Sequence, residues 1–239
     1  MGQKRVGVRP RSTSNIITDG LVLHLDAGNT SSYPGTGTIW NDLTGNGNNG
    51  TLTNGVTYLT NNGGVMSFDG VNDYIEIGST GQGPLYDIGT GDFTVNMWCA
   101  KDRTSTYGWF ISNFDSAVGG FAMGAWADTT SLYWRIYPDG WTDSGYNISS
   151  DLSFHNYTLT RNSGTVDVYV DAILVDGANA GFTGTLSSEL VPTYLGGRSD
   201  GYQNQPWNGN IGSVHIYNRT LSATEVIQNY NATKGRFGL

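Results

Sequence analysis

Several features are scarce in this chain of 239 residues. It has one cysteine, Cys99, so an internal disulfide cannot form, and a lone thiol is typical of proteins folded in a reducing cytosol. No apolar run approaches the roughly 18 to 20 residues that a membrane-spanning helix needs, so we expect no membrane span. The basic N-terminal stretch lacks the apolar centre of a secretory signal peptide, so none is expected. These absences exclude a disulfide-stapled scaffold and a helical membrane protein.

Turn-forming residues and alternating apolar residues are abundant. The chain contains 35 glycines and only six prolines, and period-two patterns recur, as in "FTVNMWCA" (93–100) and "SLYWRIYPDG" (131–140). Such segments, separated by turn signals, predict many short strands in an all-β sandwich or jelly roll. The stretch 65–78 looks like two strands around a "DG" turn. Cys99 lies on the alternating apolar side of its segment and is predicted to be a core residue.

One helix is predicted near the C-terminus. In "LSATEVIQNYNATKG", Ser222 and Glu225 have the spacing of a capping box, and Gly235 is a suitable stop. The segment is short and late in the chain, so we expect it to pack over an edge of the sandwich.

The stretch "TGNGNNGTLTNG" (44–55) has three possible interpretations: a linker, a metal-binding loop or a series of turns. The residues before it are too few to form a separate domain, which argues against a linker. An EF-hand beginning at Asp42 would place Thr53 where a bidentate glutamate is required. We therefore predict successive turns that let Leu43 and Leu52 point inward.

The charge is unevenly distributed. Residues 1–18 carry Lys4, Arg5, Arg9 and Arg11 and no acidic residue, a charge of +4; the whole chain carries −8, which leaves −12 for the remainder. We divide the chain into a basic N-terminal arm (1–18) and one domain (19–239). An acidic body disfavours nucleic acid, so the arm is interpreted as an interaction tail that docks on a protein partner and not as a nucleic-acid-binding segment.

Five motifs, in order, resemble the signatures of concanavalin A-like, laminin-G-like jelly-roll domains: "IWNDLTGNGNNGTL", "MSFDGVNDYIEI", "GDFTVNMWCA", "VDVYVDAILV" and "WNGNIGSVHIYNRTLSATEV". The resemblance covers residues 19–234. It implies a two-sheet antiparallel jelly-roll sandwich, here with one short C-terminal helix. The closing "NYNATKGRFGL" resembles the ends of such domains in structural proteins of tailed bacteriophages.

The residues give little support for catalysis. Retaining glucanases need two carboxylates about 5 to 5.5 Å apart. None of the three glutamates, Glu76, Glu189 and Glu225, lies two positions from another carboxylate, and Asp167 and Asp171 are poorly spaced. The three histidines match no ligand or nucleophile motif. We therefore expect no enzymatic activity.

Calcium is the most plausible metal. Many members of the resembled family bind it, and Asp69, Asn72 and Asp73 bring hard oxygen ligands together in one turn. The alternative is that these side chains only stabilise the turn. The closing family motif resembles G-x-I-D-E-V, but here Gly212 and Ser213 replace its acidic residues, which removes a common calcium or loop carboxylate.

Aromatic residues in polar loops provide a candidate glycan site. Trp141 lies in "PDGWTDSGYN" with Asp143 and Tyr146, and "DGYQNQPWNGN" contains Tyr202 and Trp207. An exposed ring can cover the apolar face of a sugar while polar neighbours bind its hydroxyls. Loop anchoring or subunit contact is the alternative for the same residues.

Two functional hypotheses follow. The first is a non-catalytic phage virion protein, a capsid decoration, head fibre or tail component assembled in the host cytoplasm. It would dock on other virion proteins through the arm, form a homo-oligomer and adhere to host glycans. The second is a stand-alone carbohydrate-binding lectin module. Neither involves nucleic acid or a membrane span.

Overall fold

A computed structural model describes residues 15–79, 81–102, 108–115, 119–125, 131–148, 153–186, 191–198 and 205–239. These residues form short strands and two α-helices, α1 (Pro84–Ile88) and α2 (Ala223–Thr233). The strands, numbered in chain order, are β1 (Leu21–Asp26), β2 (Ile39–Trp40), β3 (Gly50–Thr53), β4 (Thr57–Leu59), β5 (Val65–Asp69), β6 (Tyr74–Ile77), β7 (Phe93–Lys101), β8 (Gly108–Ser112), β9 (Phe121–Ala125), β10 (Ser131–Ile136), β11 (Thr142–Asn147), β12 (His155–Asn162), β13 (Thr165–Val170), β14 (Ile173–Asn179), β15 (Thr193–Leu195) and β16 (Asn208–Tyr217). Neither helix has the length and apolar character of a membrane span.

The strands form two sheets of eight strands each. In the first sheet the order is β14-β13-β12-β7-β16-β5-β4, and β1 also pairs with β16. In the second sheet the order is β11-β10-β9-β8-β15-β6-β3-β2. The pairs between these strands are antiparallel. The predicted all-β, two-sheet antiparallel jelly-roll sandwich with one short C-terminal helix is confirmed.

The core lies between the two sheets, because alternate side chains of each strand point inward. On β7 the inward side chains are those of Phe93, Val95, Met97 and Cys99. On β10 they are those of Leu132, Trp134 and Ile136. Cys99 is fully buried, as predicted, and burial raises the pKa of its thiol well above the usual value.

The first part of the glycine- and asparagine-rich stretch, residues 44–49, forms turns as predicted, whereas Gly50–Thr53 form β3. Asp42 holds the turns: it accepts hydrogen bonds from the backbone N–H groups of His24 (3.0 Å), Thr44 (3.0 Å) and Asn48 (3.2 Å). Gly45 and Gly47 take positive φ values of 83° and 81°, which a side chain would disfavour. Leu52 packs against the core as predicted, and Leu43 is half-buried. The stretch is therefore part of the sandwich.

The strands on either side of the "DG" turn do not form a hairpin. β5 belongs to the first sheet and β6 to the second, so the turn crosses between the sheets. Asp73 fixes the crossing: its Oδ2 accepts from Asp69 N (3.0 Å) and its Oδ1 from Gly55 N (2.7 Å). Backbone N–H groups from two separate segments donate to this carboxylate, so it holds the two sheets together at this end.

Helix α2 begins with the predicted capping box. Ser222 Oγ accepts from Glu225 N (3.4 Å), and Glu225 Oε2 accepts from Ser222 N (2.8 Å). The predicted stop is wrong: the helix is followed by a 3₁₀ turn through Gly235, and Gly238 takes the positive φ of 85°. Fraying of this kind is common where a last turn tightens into 3₁₀ geometry.

The C-terminal segment covers the outer face of the first sheet, not an edge as expected. Trp98 of β7 stacks on Phe237 (ring centroids 4.3 Å apart) and on Tyr230 (5.7 Å), and its Nε1 donates to Thr233 Oγ1 (2.8 Å). Arg236 donates to Asp26 and to the carbonyl of Gly64. We call residues 222–239 the C-terminal cover.

The sequence departure at Gly212 has a structural cause. A Cβ at this position would lie 2.6 Å from two ring atoms of Phe237. An acidic side chain there would therefore displace the C-terminal cover, and glycine lets the Phe237 ring lie directly on β16.

The end of the predicted arm belongs to the domain. Ile17 N donates to Asn229 Oδ1 (2.8 Å), Tyr217 OH donates to Ile17 O (3.0 Å), and Gln228 Nε2 donates to Asn15 O (2.9 Å). The chain is thus anchored on α2 from residue 15 onward, and the four basic residues of the arm lie outside the described residues.

Candidate functional site

The outer face of the second sheet carries a second aromatic cluster. On β10 the inward residues alternate with outward Tyr133 and Arg135, and Tyr137 follows the strand. Trp109 of β8 and Phe114 beyond its end lie on the same side and are buried against Ala122 of β9. We call Trp109, Phe114, Tyr133, Tyr137 and Trp141 the aromatic face.

Trp141 stacks on a buried ring of this face. It directly precedes β11 and is half-buried, whereas Trp109 beneath it is 0% exposed. The two rings are nearly parallel, with centroids 4.7 Å apart and an interplanar angle of 22°, and Phe114 lies 5.6 Å from Trp141. The indole of Trp141 is therefore packed on a buried partner while part of its side chain stays accessible.

Two guanidinium groups lie over the aromatic face. Arg135 Cζ is 4.6 Å from the Phe114 ring centroid and 5.1 Å from that of Trp141. Arg198 Cζ is 5.1 Å from the Phe114 centroid. Burial lowers the pKa of Arg135, and repulsion by Arg198 lowers it further. Two positive charges thus lie over the rings, with the carboxylates of Asp139 and Asp143 nearby.

Polar groups surround the rings. Tyr133 OH donates to Asp143 Oδ2 (3.0 Å), and Asp143 Oδ1 accepts from Gly145 N (2.8 Å). Trp109 Nε1 donates to Gln205 Oε1 (2.6 Å). Asp143 is exposed beside the stacked rings. The face therefore combines an aromatic platform with hydrogen-bonding groups at its border.

The structure brings together only part of the predicted glycan site. Trp141 and Asp143 lie on the outer face, linked through Tyr133. Tyr146 packs against the core cluster and has its ring 6.3 Å from that of His155, so it lies on the other side of β11. Tyr202 lies outside the described residues.

The expected exposure of Trp207 is wrong. Its side chain is 1% exposed, and its ring packs edge-on against Phe110 with centroids 4.7 Å apart. Trp207 N donates to Gly196 O (2.8 Å), and Gly108 lies against the ring, where a Cβ would be 2.8 Å from Trp207 Cε3. Gly108 makes room for the indole and the Gly196 carbonyl fixes its backbone, so Trp207 anchors the loop and presents no surface to a sugar.

The predicted calcium ligands are used by the protein itself. Both Asp73 oxygens accept backbone N–H groups, and Asp69 Oδ1 accepts from Val71 N (2.8 Å). Asn72 is exposed, and its carbonyl accepts from Asn54 Nδ2 (2.6 Å). Within the described ranges, no three His, Cys, Asp or Glu side chains are grouped so that they could hold a metal. As placed, these residues do not form a calcium cage, and calcium binding stays a prediction.

The other titratable residues have structural partners. Asp171 lies 2.6 Å from His155 Nδ1 and accepts from Asn156 N, and Asp167 accepts from Ala178 N (2.8 Å). The rings of His24 and His215 pack 4.7 Å apart, and burial holds the pKa of His215 well below its usual value.

Two of the three glutamates are described. Glu225 is bonded to Arg219 and caps α2, and Glu76 interacts with Tyr194, whose pKa is raised by burial and by nearby Tyr74 and Glu76. These contacts account for both carboxylates.

Of the aromatic face, only Trp141 is among the binding candidates predicted from the sequence. The candidates do not include Trp109, Phe114, Tyr133 and Tyr137, or the two arginines over them, Arg135 and Arg198. A signal for Arg135 was present, because Leu132, Trp134 and Ile136 alternate with Tyr133, Arg135 and Tyr137. Because Arg135 alternates with three core residues along the strand, its side chain lies on the outer face. Phe114 and Arg198 reach the face only through pairing of distant strands, so no local pattern reveals them.

Comparison with known families assigns the chain. The model of the family described as the concanavalin A-like lectin/glucanases superfamily matches residues 69–227, and the chain belongs to this family. No curated protein matched the sequence. The aromatic face therefore lies on a lectin-like jelly-roll domain.

Solved structures share the fold at low sequence identity. Domain 4 of AbnA, an extracellular arabinanase from Geobacillus stearothermophilus solved with arabinotriose, matches with a TM-score of 0.65 and 18% identity, over 88% of this chain and 98% of that domain. Trypanosoma rangeli sialidase matches with a TM-score of 0.68 and 17% identity. The match covers 92% of this chain but only 34% of the sialidase chain. The binding domain of botulinum neurotoxin DC, solved with rat synaptotagmin II, matches with a TM-score of 0.66 and 15% identity. The match covers 91% of this chain and 52% of the neurotoxin chain. These likenesses show the fold.

Proposed function

We propose that this domain binds carbohydrate without catalysis, and that the aromatic face is its binding site. The observation that carries the proposal is the Trp141 ring, half-buried and stacked on buried Trp109. A fixed indole can cover the apolar face of a pyranose at little entropic cost. Asp143 and Tyr133 supply hydrogen-bonding groups for hydroxyls at the border.

The absence of catalysis is part of the proposal. Glycosidases act through two carboxylates that flank the scissile bond. The described carboxylates examined above are bonded to backbone N–H groups, to Arg219, to His155 or to Tyr194, and none is paired with another carboxylate. Such partners favour a structural role for these groups.

The experiment is a glycan array with recombinant protein, run with calcium and again with a chelator. Trp141→Ala should lose binding because the platform is removed. Tyr230→Ala is the matched control, since Tyr230 is also a half-buried ring stacked on a buried tryptophan, but on the opposite face. Tyr230→Ala should keep binding. Chelator sensitivity would support the calcium prediction.

Two results would contradict the proposal: binding that survives Trp141→Ala, or an array without binding from well-folded protein. Either would favour a subunit-contact role for the aromatic face, because such interfaces are also rich in tyrosine and tryptophan. The oligomeric state of wild type and Trp141→Ala, compared by light scattering, would then test that role.

We further propose that the domain is displayed on a phage virion as a homo-oligomer and docks through its N-terminal arm. The support is the basic arm on an acidic body and the phage-like C-terminal sequence. Deletion of residues 1–14 keeps Asn15 and Ile17, which are bonded to α2 and β16. We expect this variant to fold normally but not to be incorporated into particles; normal incorporation would contradict the virion proposal.

A further inference from the structure

Arg135 differs from three other arginines of the described residues. Arg161, Arg219 and Arg236 each use all three guanidinium nitrogens in hydrogen bonds to carbonyls or carboxylates. Arg135 makes one hydrogen bond within the described residues, from Nε to Asp139 O (3.0 Å). Its Nη1 and Nη2 groups form neither a hydrogen bond nor an ion pair there, so the guanidinium retains most of its donors.

Aromatic rings hold this guanidinium in place. Phe114, Trp141 and Tyr137 have their ring centroids 4.6, 5.1 and 5.8 Å from Arg135 Cζ. Rings of this kind stabilise the cation but leave its N–H groups unused. The fork is therefore preorganised, since little side-chain freedom remains to be lost when a ligand binds.

A second guanidinium group lies near Arg135. Arg198 lies over the same Phe114 ring, and its repulsion contributes to the lowered pKa of Arg135. The Asp139 carboxylate acts in the opposite direction, but it makes no ion pair with Arg135. An anion placed between the guanidinium groups would relieve the repulsion, and a planar carboxylate matches the guanidinium fork in a bidentate pair.

We infer that the aromatic face selects sugars that carry a carboxylate, with the sugar ring on Trp141 and its carboxylate on Arg135. This inference rests on the carbohydrate-binding function proposed above and adds the ligand class. Non-specific attraction of polyanions is disfavoured because the chain carries a net charge of −8. Selectivity would therefore come from Arg135 locally.

The test compares ligands that differ only in the carboxylate. Isothermal titration uses oligogalacturonate against its methyl ester, and 3′-sialyllactose against lactose, so that uronic and sialic acids are distinguished. Wild type should bind at least one acid about tenfold or more tightly than its neutral partner, as charge-assisted bidentate pairing predicts. Arg135→Gln should abolish that preference, and Arg135→Lys should restore only part of it, because lysine keeps the charge but lacks the fork.

Lys234→Gln is the matched control. Lys234 Nζ also lies over an aromatic ring, that of Tyr230 at 5.1 Å, but in the C-terminal cover. This variant loses the same charge and should keep the acid preference. Thermal denaturation of each variant checks that it is folded.

The outcomes separate the two proposals. Equal affinity for the acidic sugar and its neutral partner overturns the inference, and so does an acid preference that survives Arg135→Gln. In either case, binding that still depends on Trp141 leaves the proposed carbohydrate function intact. Failure of every glycan, acidic or neutral, to bind folded protein overturns both.

Discussion

The two outer faces of the sandwich are built alike but completed differently. Each has a buried tryptophan with a half-buried aromatic ring stacked on it: Trp98 with Tyr230, and Trp109 with Trp141. On the first sheet the C-terminal cover supplies a second ring to the stack, since Phe237 also stacks on Trp98. On the second sheet neither α1 nor α2 contributes to the cluster around Trp109. Aromatic content therefore does not by itself identify a binding face, because one of the two stacks is built into the packing of the C-terminal cover.

The polar residues follow the same division. On the first face Asn96, Asn156, Thr158 and His215 are buried and bonded to one another. On the second face Arg135 keeps unused donors and Asp143 is exposed. Polar groups buried without partners are costly, so the covered face must satisfy its own groups, whereas the other face can leave donors for a ligand.

The largest expected difference between the faces is in stability. Trp98→Ala should lower the free energy of unfolding by about 3–5 kcal/mol, because a fully buried indole and its contacts with the C-terminal cover are lost. Trp141→Ala should cost roughly half of that or less, since its side chain is only half-buried. Urea denaturation measures both. Equal costs would show that Trp141 is as much a packing residue as Trp98.

An intermediate effect is expected at Gly212. Gly212→Ala should destabilise by about 1–3 kcal/mol, because the added Cβ would lie 2.6 Å from the Phe237 ring. In a Phe237→Ala background the same change should cost almost nothing, which a double-mutant cycle would reveal. Purely additive costs would mean that Phe237 is not what requires the glycine. Glycan binding should be the same in all three variants.

The smallest effect is a pH dependence of the C-terminal cover. Hydrogen bonding to Arg219, together with the cap at Ser222, lowers the pKa of Glu225 from 4.5 to about 2. A lowered pKa stabilises the fold above about pH 4.5, and this contribution is lost as the pH falls through about 2. The ion pair is partly solvated, so the contribution should be under about 1 kcal/mol.

Glu225→Gln should therefore be less stable than wild type at pH 6 and equally stable near pH 2, by thermal denaturation across pH. Arg219→Met should show the same reduced pH dependence. If wild type were still more stable than Glu225→Gln at pH 2, the stabilisation would come from something other than this carboxylate.

The fold and the helix were predictable because local signals agree with the final structure. Alternation along 131–137 identifies both the core side and the outer side of β10, and Ser222 and Glu225 locate the start of α2. The site was only partly predictable. Trp141 and Trp207 both lie in polar sequence, yet Trp207 is buried, and Gly108, distant in sequence, makes room for its ring. Burial that depends on distant partners leaves no local pattern.

The pairing of β1 with β16 has a consequence for the order of folding. The first strand of the described chain aligns with the last, from Leu21 opposite Tyr217 to Asp26 opposite Ser213. During synthesis β1 leaves the ribosome long before its partner exists, and the C-terminal cover, which seals the sheet, follows that partner. The first sheet must therefore remain incomplete until β16 and the cover have been synthesised, so we expect the folding of this sheet to be completed late and slowly.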